Sequence, residues 1–220
     1  MTILKSMLAA AVTGAAMLSG SVFAQGQDVG LVNLLAGDVN YQSGSAAATK
    51  AQAFMKVRQG DAFTVPAGAQ IRLVYFQGGR QETWKGPANF KAGAQASEGG
   101  QPSEVATLPS SVPQKIAQVP ELIQIAKLGR SGGVQVRGGG KAPRLTAEQQ
   151  AEVAQAKKTY SQMRGSAPAD DITPELYLYS VLQDHLLYQD MKPVVDEMAK
   201  RQPQSTDVQE LVAWVKSKTQ

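Results

Sequence analysis

Apolar residues fall into two rhythms along this chain. Up to Phe90 they come in short runs or at every second position, and from Val153 onward they recur three and four apart, so the pattern predicts strands first and helices afterwards. Residues 29–35, the break Ala36-Gly37-Asp38 and residues 39–41 read as two short extended runs about a turn, with a loop over 44–52. Extended structure resumes over 54–58, turns at Gln59-Gly60-Asp61 and continues through Phe63 and Val65. After Pro66-Ala67-Gly68, Ile71, Leu73 and Tyr75 alternate with Arg72, Val74 and Phe76, which makes one strand face wholly apolar and the other mixed. Gly78-Gly79 then reverses the chain into 80–85, where Gln81, Thr83 and Lys85 alternate with Glu82 and Trp84, a hairpin signature. A further turn, Gly86-Pro87-Ala88-Asn89-Phe90, closes the run.

Residues 92–111 are mostly Gly, Ser, Pro, Ala and Gln and read as a surface excursion, with 104–108 as a short strand inside it. Pro120 stands at a helix start, Leu122, Ile125 and Leu128 follow at helical spacing, and Gly129 is the stop. Six glycines punctuate 129–143, around a short strand predicted at 134–137. Thr146 and Gln149 form a capping-box pattern ahead of Val153, Ala156, Tyr160 and Met163. A second helix starts at Thr173-Pro174-Glu175, carries Leu176, Tyr179, Leu182 and Leu186 on one face and is expected to end near Gln189-Asp190. Residues 191–201 offer Val194, Val195 and Met198, and Ser205 or Thr206 caps a last helix with Val208, Leu211, Val212 and Val215. The expected class is α+β: an N-terminal antiparallel, β-sandwich-like domain over 25–91, a Gly/Pro-rich connector with one short helix over 92–145, and a C-terminal antiparallel helical domain over 146–220.

Composition changes this picture at the first residues. Lys5 precedes a nearly charge-free stretch centred on residues 7–18, shorter than the roughly 20 residues that span a bilayer, and Val22-Phe23-Ala24 puts small residues where signal peptidase needs them. The expectation is a signal peptide over 1–24 cleaved after Ala24, a periplasmic or secreted mature chain, and no transmembrane segment once it is removed; an uncleaved anchor is the alternative. With no cysteine, disulfides, thiolate metal sites, thiol nucleophiles and a lipidated cysteine are excluded together. Charge divides the chain. Residues 25–145 carry 13 basic and 7 acidic side chains and residues 146–220 carry 8 and 11, so the halves differ in sign, while the net of +3 over both is too small to imply nucleic acid by itself.

Catalytic patterns are sparse. His185 is the sole histidine, with no spaced ligands or poised hydroxyl to make a metal site or triad, and it reads as a surface or half-buried helix residue. Asp170-Asp171 precedes the helix starting at Thr173 and is read as interacting with that helix N-terminus. The glycines ending in Gly140-Lys141 are followed by Ala142 where a phosphate loop needs a hydroxyl, so they read as a connector. No catalytic, cofactor-binding or metal-ligating residues are expected. Lys56, Arg58, Arg72, Arg80, Lys85 and Lys91, near Tyr75, Phe76 and Trp84, make either a patch for an anionic partner or dispersed surface charge.

Taken in order, Ala36-Gly37-Asp38 with Val39, the segment from Val57 to Gly60-Asp61, Pro66-Ala67-Gly68-Ala69 leading into 71–76, Gly78-Gly79 and Gly86-Pro87-Ala88 resemble a FecR-type domain, the periplasmic β-rich module of ferric-citrate signalling proteins, over about residues 29–91. Signalling members of that family have a cytoplasmic N-terminal domain and a membrane-spanning helix and act as anti-sigma regulators. Here the resemblance implies only the exported β-domain and its use in protein contact. From Thr173 through Pro203 the chain resembles one and a half tetratricopeptide-type repeats, with a plain helical hairpin as the alternative. The resulting expectation is a non-enzymatic regulatory or scaffolding adaptor of the cell envelope, bound to another envelope protein through Arg72, Arg80 and Lys85 on the β-domain and Tyr177, Tyr188 and Trp214 on the helices. The alternative is a periplasmic glycan or small-ligand module, with peptidoglycan as one candidate, in which Trp84 and Tyr75 stack on a sugar.

Overall fold

The computed structural model describes residues 26–130 and 144–219. The leader over 1–24 and the strand predicted at 134–137 lie outside these described residues. The fold is α+β: ten strands in two antiparallel sheets, then helices. The first sheet holds β1 (Asp28–Ala36), β4 (Lys56–Arg58), β6 (Gln70–Tyr75), β7 (Arg80–Lys85) and β10 (Glu104–Thr107), in the order β10-β7-β6-β1-β4. The second holds β2 (Asn40–Gln42), β3 (Thr49–Lys50), β5 (Ala62–Val65), β8 (Ala88–Ala92) and β9 (Ser97–Glu98), in the order β3-β2-β5-β8-β9. Thus β9 and β10, from the stretch read as connector, complete the two sheets.

Turn chemistry directs this layout. At Ala36-Gly37-Asp38 the chain leaves the first sheet and enters the second; Gly37 has φ of 79°, and a Cβ there would stand 3.0 Å from that of Ala69. Gly86 is required by close approach, since a Cβ there would fall 1.7 Å from the Pro66 carbonyl oxygen. The hairpin at Gly78-Gly79 forms as the alternation predicts, pairing β6 with β7 from Val74↔Gln81 to Gln70↔Lys85.

Alternation along β6 then separates two cores. Ile71, Leu73 and Tyr75 face the second sheet, together with Val32, Trp84, Phe63 and Phe90. Val74 faces the other way and, with Leu31 and Phe54, joins the core of the helical layer. The first sheet is therefore the middle of three layers, covered on both faces, and burial at about 1.5–3 kcal/mol per large apolar side chain holds each face down. Phe54 reaches the helices because its backbone takes a left-handed turn, φ 60°, between hydrogen bonds from Phe54 N–H to Val32 C=O (2.7 Å) and from Val32 N–H to Met55 C=O (3.0 Å).

The helical layer consists of α1 (Val112–Ile116), α2 (Val119–Arg130), α3 (Ala147–Ser166), α4 (Thr173–Asp184), α5 (Tyr188–Arg201) and α6 (Thr206–Thr219). Thr146 and Gln149 close the capping box on α3. Two elements depart from the expected pattern. On α2 the buried stripe is Val119, Ile123 and Ala126, while Ile125 and Leu128 point to solvent. The helix starting at Thr173 ends at Asp184, not near Asp190: Leu186 turns left-handed (φ 54°), its N–H bonds Gln183 C=O (3.0 Å) and that of Leu187 bonds Leu182 C=O (3.0 Å). That is a Schellman end with leucine in the position usually held by glycine.

Candidate functional site

The six residues expected to meet a protein partner, and Trp84 with them, do not share a surface. Arg72 is only 2% exposed and Trp84 equally enclosed, and Tyr177 and Trp214 are buried in the helical core. Arg80 and Tyr188 are half-buried and Lys85 is exposed. The correction has a simple cause for Arg72 and Trp84: the central residues of β6 and β7 lie in the middle layer, where a side chain on either face meets protein.

Trp84 stacks on Phe90 at 4.2 Å between ring centres, and its six-membered ring is backed by Gly100, where a Cβ would come within 3.1 Å. With Tyr75 also enclosed, neither ring is open to a sugar. Tyr188 meets Trp214 edge-on at 5.6 Å, and Gly129 lies against the indole. The basic set is dispersed as well. Lys56 lies 2.6 Å from Glu121, Arg58 3.6 Å from Asp28 and Lys85 3.4 Å from Glu104, while Arg80 is hydrogen-bonded to Glu82.

Between the middle sheet and α4 lies a buried polar seam. Arg72 Nε donates to Thr83 Oγ1 (2.9 Å) and Nη2 to Asp170 Oδ1 (3.2 Å); Nη1 is 3.9 Å from Asp171 but forms no hydrogen bond. Gln81 Nε2 donates to Asp171 Oδ2 (2.7 Å), and Asn33 Nδ2 donates to the Thr173 hydroxyl. Asn33 sits where the β1–β6 register slips between Val32 and Leu34, a bulge that re-aims its side chain at α4. Asp171 Oδ1 also accepts from Thr173 N–H (2.8 Å), so this aspartate holds the helix start, as its position suggested, and faces the sheet as well.

Behind the seam, Glu175 is fully enclosed and bound by Arg164 Nη1 (3.0 Å) and the Tyr160 hydroxyl (3.3 Å). Burial pushes its carboxyl above the ordinary 4.5, against the opposing pull of Arg164 and Arg201. The same Arg164 donates to the carbonyls of Ala167, Pro168 and Asp171, and Arg201 to that of Ala169, so the loop before α4 is held from several sides. His185 caps the end of α4 with Nε2 3.0 Å from Glu152.

Where the layers part, a cleft opens with walls from both. One lobe of about 480 Å³ runs between Asp28, Phe54 and Arg58 on the sheet side and Glu121 and Gln124 on α2. The other, of about 520 Å³, runs between Leu34 and Leu35 and the segment Gln202-Pro203-Gln204 before α6. Gln52, Ala53, Lys127 and Asp207 border both lobes, so they form one groove. Its charges are engaged: Lys56 with Asp28 and Glu121, Lys127 with Asp207, and Asp61 with the Arg58 N–H. The bond that Lys56 donates to Glu121 is the main cause holding it above the usual lysine range. Among the described residues no group of three His, Cys, Asp or Glu side chains is placed to hold a metal, and no helix is long and apolar enough to cross a membrane.

Neither the seam nor the groove was foreseen from sequence. The available signal was a polar residue inside an apolar strand, Asn33 in residues 29–35 and Arg72 between Ile71 and Leu73, which in a sheet covered on both faces requires a buried partner. Compared with protein-family models, with curated proteins and with solved structures, the chain matches none.

Proposed function

We propose that this chain is an exported, non-enzymatic protein of the cell envelope that works by protein contact, as a regulatory or scaffolding adaptor built on a FecR-like β-domain. The single observation that carries the reading is the groove lined jointly by the sheet layer and the helices. A partner segment seated there touches both halves at once, and the buried seam keeps the walls in fixed relation, so little ordering cost falls on this side of the complex. Carboxylates bordering the groove are engaged by cations or main-chain N–H groups, an arrangement suited to orienting a polar segment rather than to general acid–base work. The leader pattern over residues 1–24 and the order of the turn motifs over 29–91 support the envelope part of the reading.

The test is in-cell crosslinking from an unnatural photoreactive side chain at Gln52 or Gln124, with Lys127→Glu as the competing variant. A specific envelope protein crosslinked from both sites, and lost in Lys127→Glu while the thermal midpoint is kept, is the expected result. Co-sedimentation with purified peptidoglycan in the absence of any protein crosslink would overturn it in favour of a glycan module.

A further inference from the structure

We infer that β10 is a strand-addition site: its outer edge, unpaired among the described residues, with the cavity beside it, takes an extended peptide segment of a partner protein that carries a leucine-sized apolar side chain. The site is separate from the groove, and either can fail alone. β10 ends the first sheet, and among the described residues it is the longest of the four outer strands. The other edge of that sheet, β4, is three residues long with Lys56 tied to Glu121 of α2, and β3 and β9 have two residues each. All four β10 residues are exposed, Val105 by 49%, and the strand lacks the lysine or proline that commonly blunts an open edge.

Its register fixes which groups are on offer. Leu108 N–H donates to Gly79 C=O (2.8 Å), and the pairing runs Thr107↔Arg80, Ala106↔Gln81, Val105↔Glu82 and Glu104↔Thr83. Antiparallel alternation then turns the main-chain groups of Glu104 and Ala106 toward β7 and those of Val105 and Thr107 outward. Outward-facing N–H and C=O groups at every second residue match in spacing those of another extended main chain, which can replace the water on them as a set.

The neighbouring cavity supplies the side-chain preference. It holds about 250 Å³ between Ala106, Leu108 and Pro109 on the edge and Met163, Ala167 and Pro168 at the end of α3. An added strand puts alternate side chains on that helix-facing side. A second copy fits poorly: centred on Thr107, a two-fold pairing would set Pro109, which has no N–H, against Val105 and would need in the cavity the mate's Leu108, already packed on its own helical core; centred on Val105, the residues opposite Ala106 and Glu104 are the mate's Glu104 and Ala106. A carboxylate or a single methyl would face the cavity, and neither fills it. An apolar residue from a different chain does.

The experiment uses the full mature chain and a short capped peptide of alternating threonine and leucine, read by amide hydrogen exchange. Before addition, the amides of Glu104 and Ala106 should exchange slowly and those of Val105 and Thr107 quickly; saturating peptide should slow the latter pair. Val105→Pro removes only an outward N–H, leaves the ladder to β7 intact and should weaken binding by about tenfold or more. Should that variant fold poorly, a peptide alternating threonine and glycine on the unaltered protein serves instead, with loss of binding expected. Unchanged exchange at Val105 and Thr107 in millimolar peptide, or equal binding of the glycine peptide, overturns the proposal. So does protection of Val105 that grows with protein concentration alone and accompanies a doubled mass, which would make the occupant a second copy.

Discussion

Arg72 is a guanidinium between two layers of protein, and its value to the fold differs from the cost of losing it. Desolvating an ion pair offsets most of its attraction, so the contacts to Asp170 and Asp171 add little net stability over a well-packed apolar pair. Removing one partner is another matter. Arg72→Ala leaves Asp171 enclosed without its nearest cation and should cost about 3–5 kcal/mol, read as a fall in the urea midpoint; a loss below about 1 kcal/mol would mean the seam is wet and slack. Glu82 gives the pH counterpart on the opposite face of the sheet. Burial alone would raise its carboxyl, but bonds from Arg80, the Ser97 backbone and Trp84 Nε1 outweigh it and hold it below the ordinary 4.5. A depressed folded value gives stability that is present above the unfolded value and lost as pH falls through the folded one. Glu82→Gln should therefore flatten the acid limb of stability as pH falls below the ordinary carboxylate value, while lowering the neutral plateau. Glu175, raised by burial, acts with the opposite sign, favouring the fold below its unfolded value and ceasing to do so as pH rises through the folded one.

Helix ends separate what the sequence displays from what it conceals. The capping box at Thr146 and Gln149 was legible because its chemistry is local, three residues apart and written in side chains. The end of α4 was not. Leu176, Tyr179, Leu182 and Leu186 keep helical spacing through the break, and no glycine or proline marks the reversal at Leu186. What ends the helix is the packing of α5 back onto α4, which a spacing rule does not see. The position is testable: Leu186 is 50% exposed with φ of 54°, so Leu186→Gly should remove left-handed strain at small loss of burial and stabilise by about 1 kcal/mol, seen as a rise of a few degrees in the thermal midpoint. A similar logic explains α2. Spacing picked Leu122, Ile125 and Leu128, but the face that meets the sheet layer and α6 is Val119, Ile123 and Ala126, because an apolar stripe says that a face is buried and not which of two adjacent stripes it is. For the strands, the mixed face of β6 was recognised and its meaning missed. A solvent-facing side would carry such residues freely, whereas here Arg72 and Val74 face helices contributed by sequence about a hundred residues away.

Read from sequence, the halves of the chain are a β-domain and a helical domain of opposite charge joined through a glycine-rich segment, their packing on one another left open. The packing argues for one cooperative unit. Leu31, Phe54 and Val74 of the sheet layer belong to the same apolar cluster as Ile123, Leu176 and Leu211, and the hydrogen bonds of the polar seam from Asn33 to Thr173 form only with both halves in place. Separating the halves would expose that apolar face to water, so neither half has a stable way to unfold first. The two tryptophans report on this from either side, Trp84 within the sandwich and Trp214 within the helices. In the single-tryptophan variants Trp84→Phe and Trp214→Phe, each set against its own circular-dichroism curve, fluorescence and secondary structure should be lost at one urea midpoint. Arg72→Ala should then move the two fluorescence midpoints by the same amount. Midpoints that separate, with only Trp84 responding to Arg72→Ala, would mean that the helices stand without the sheet and that the groove between them has no fixed width.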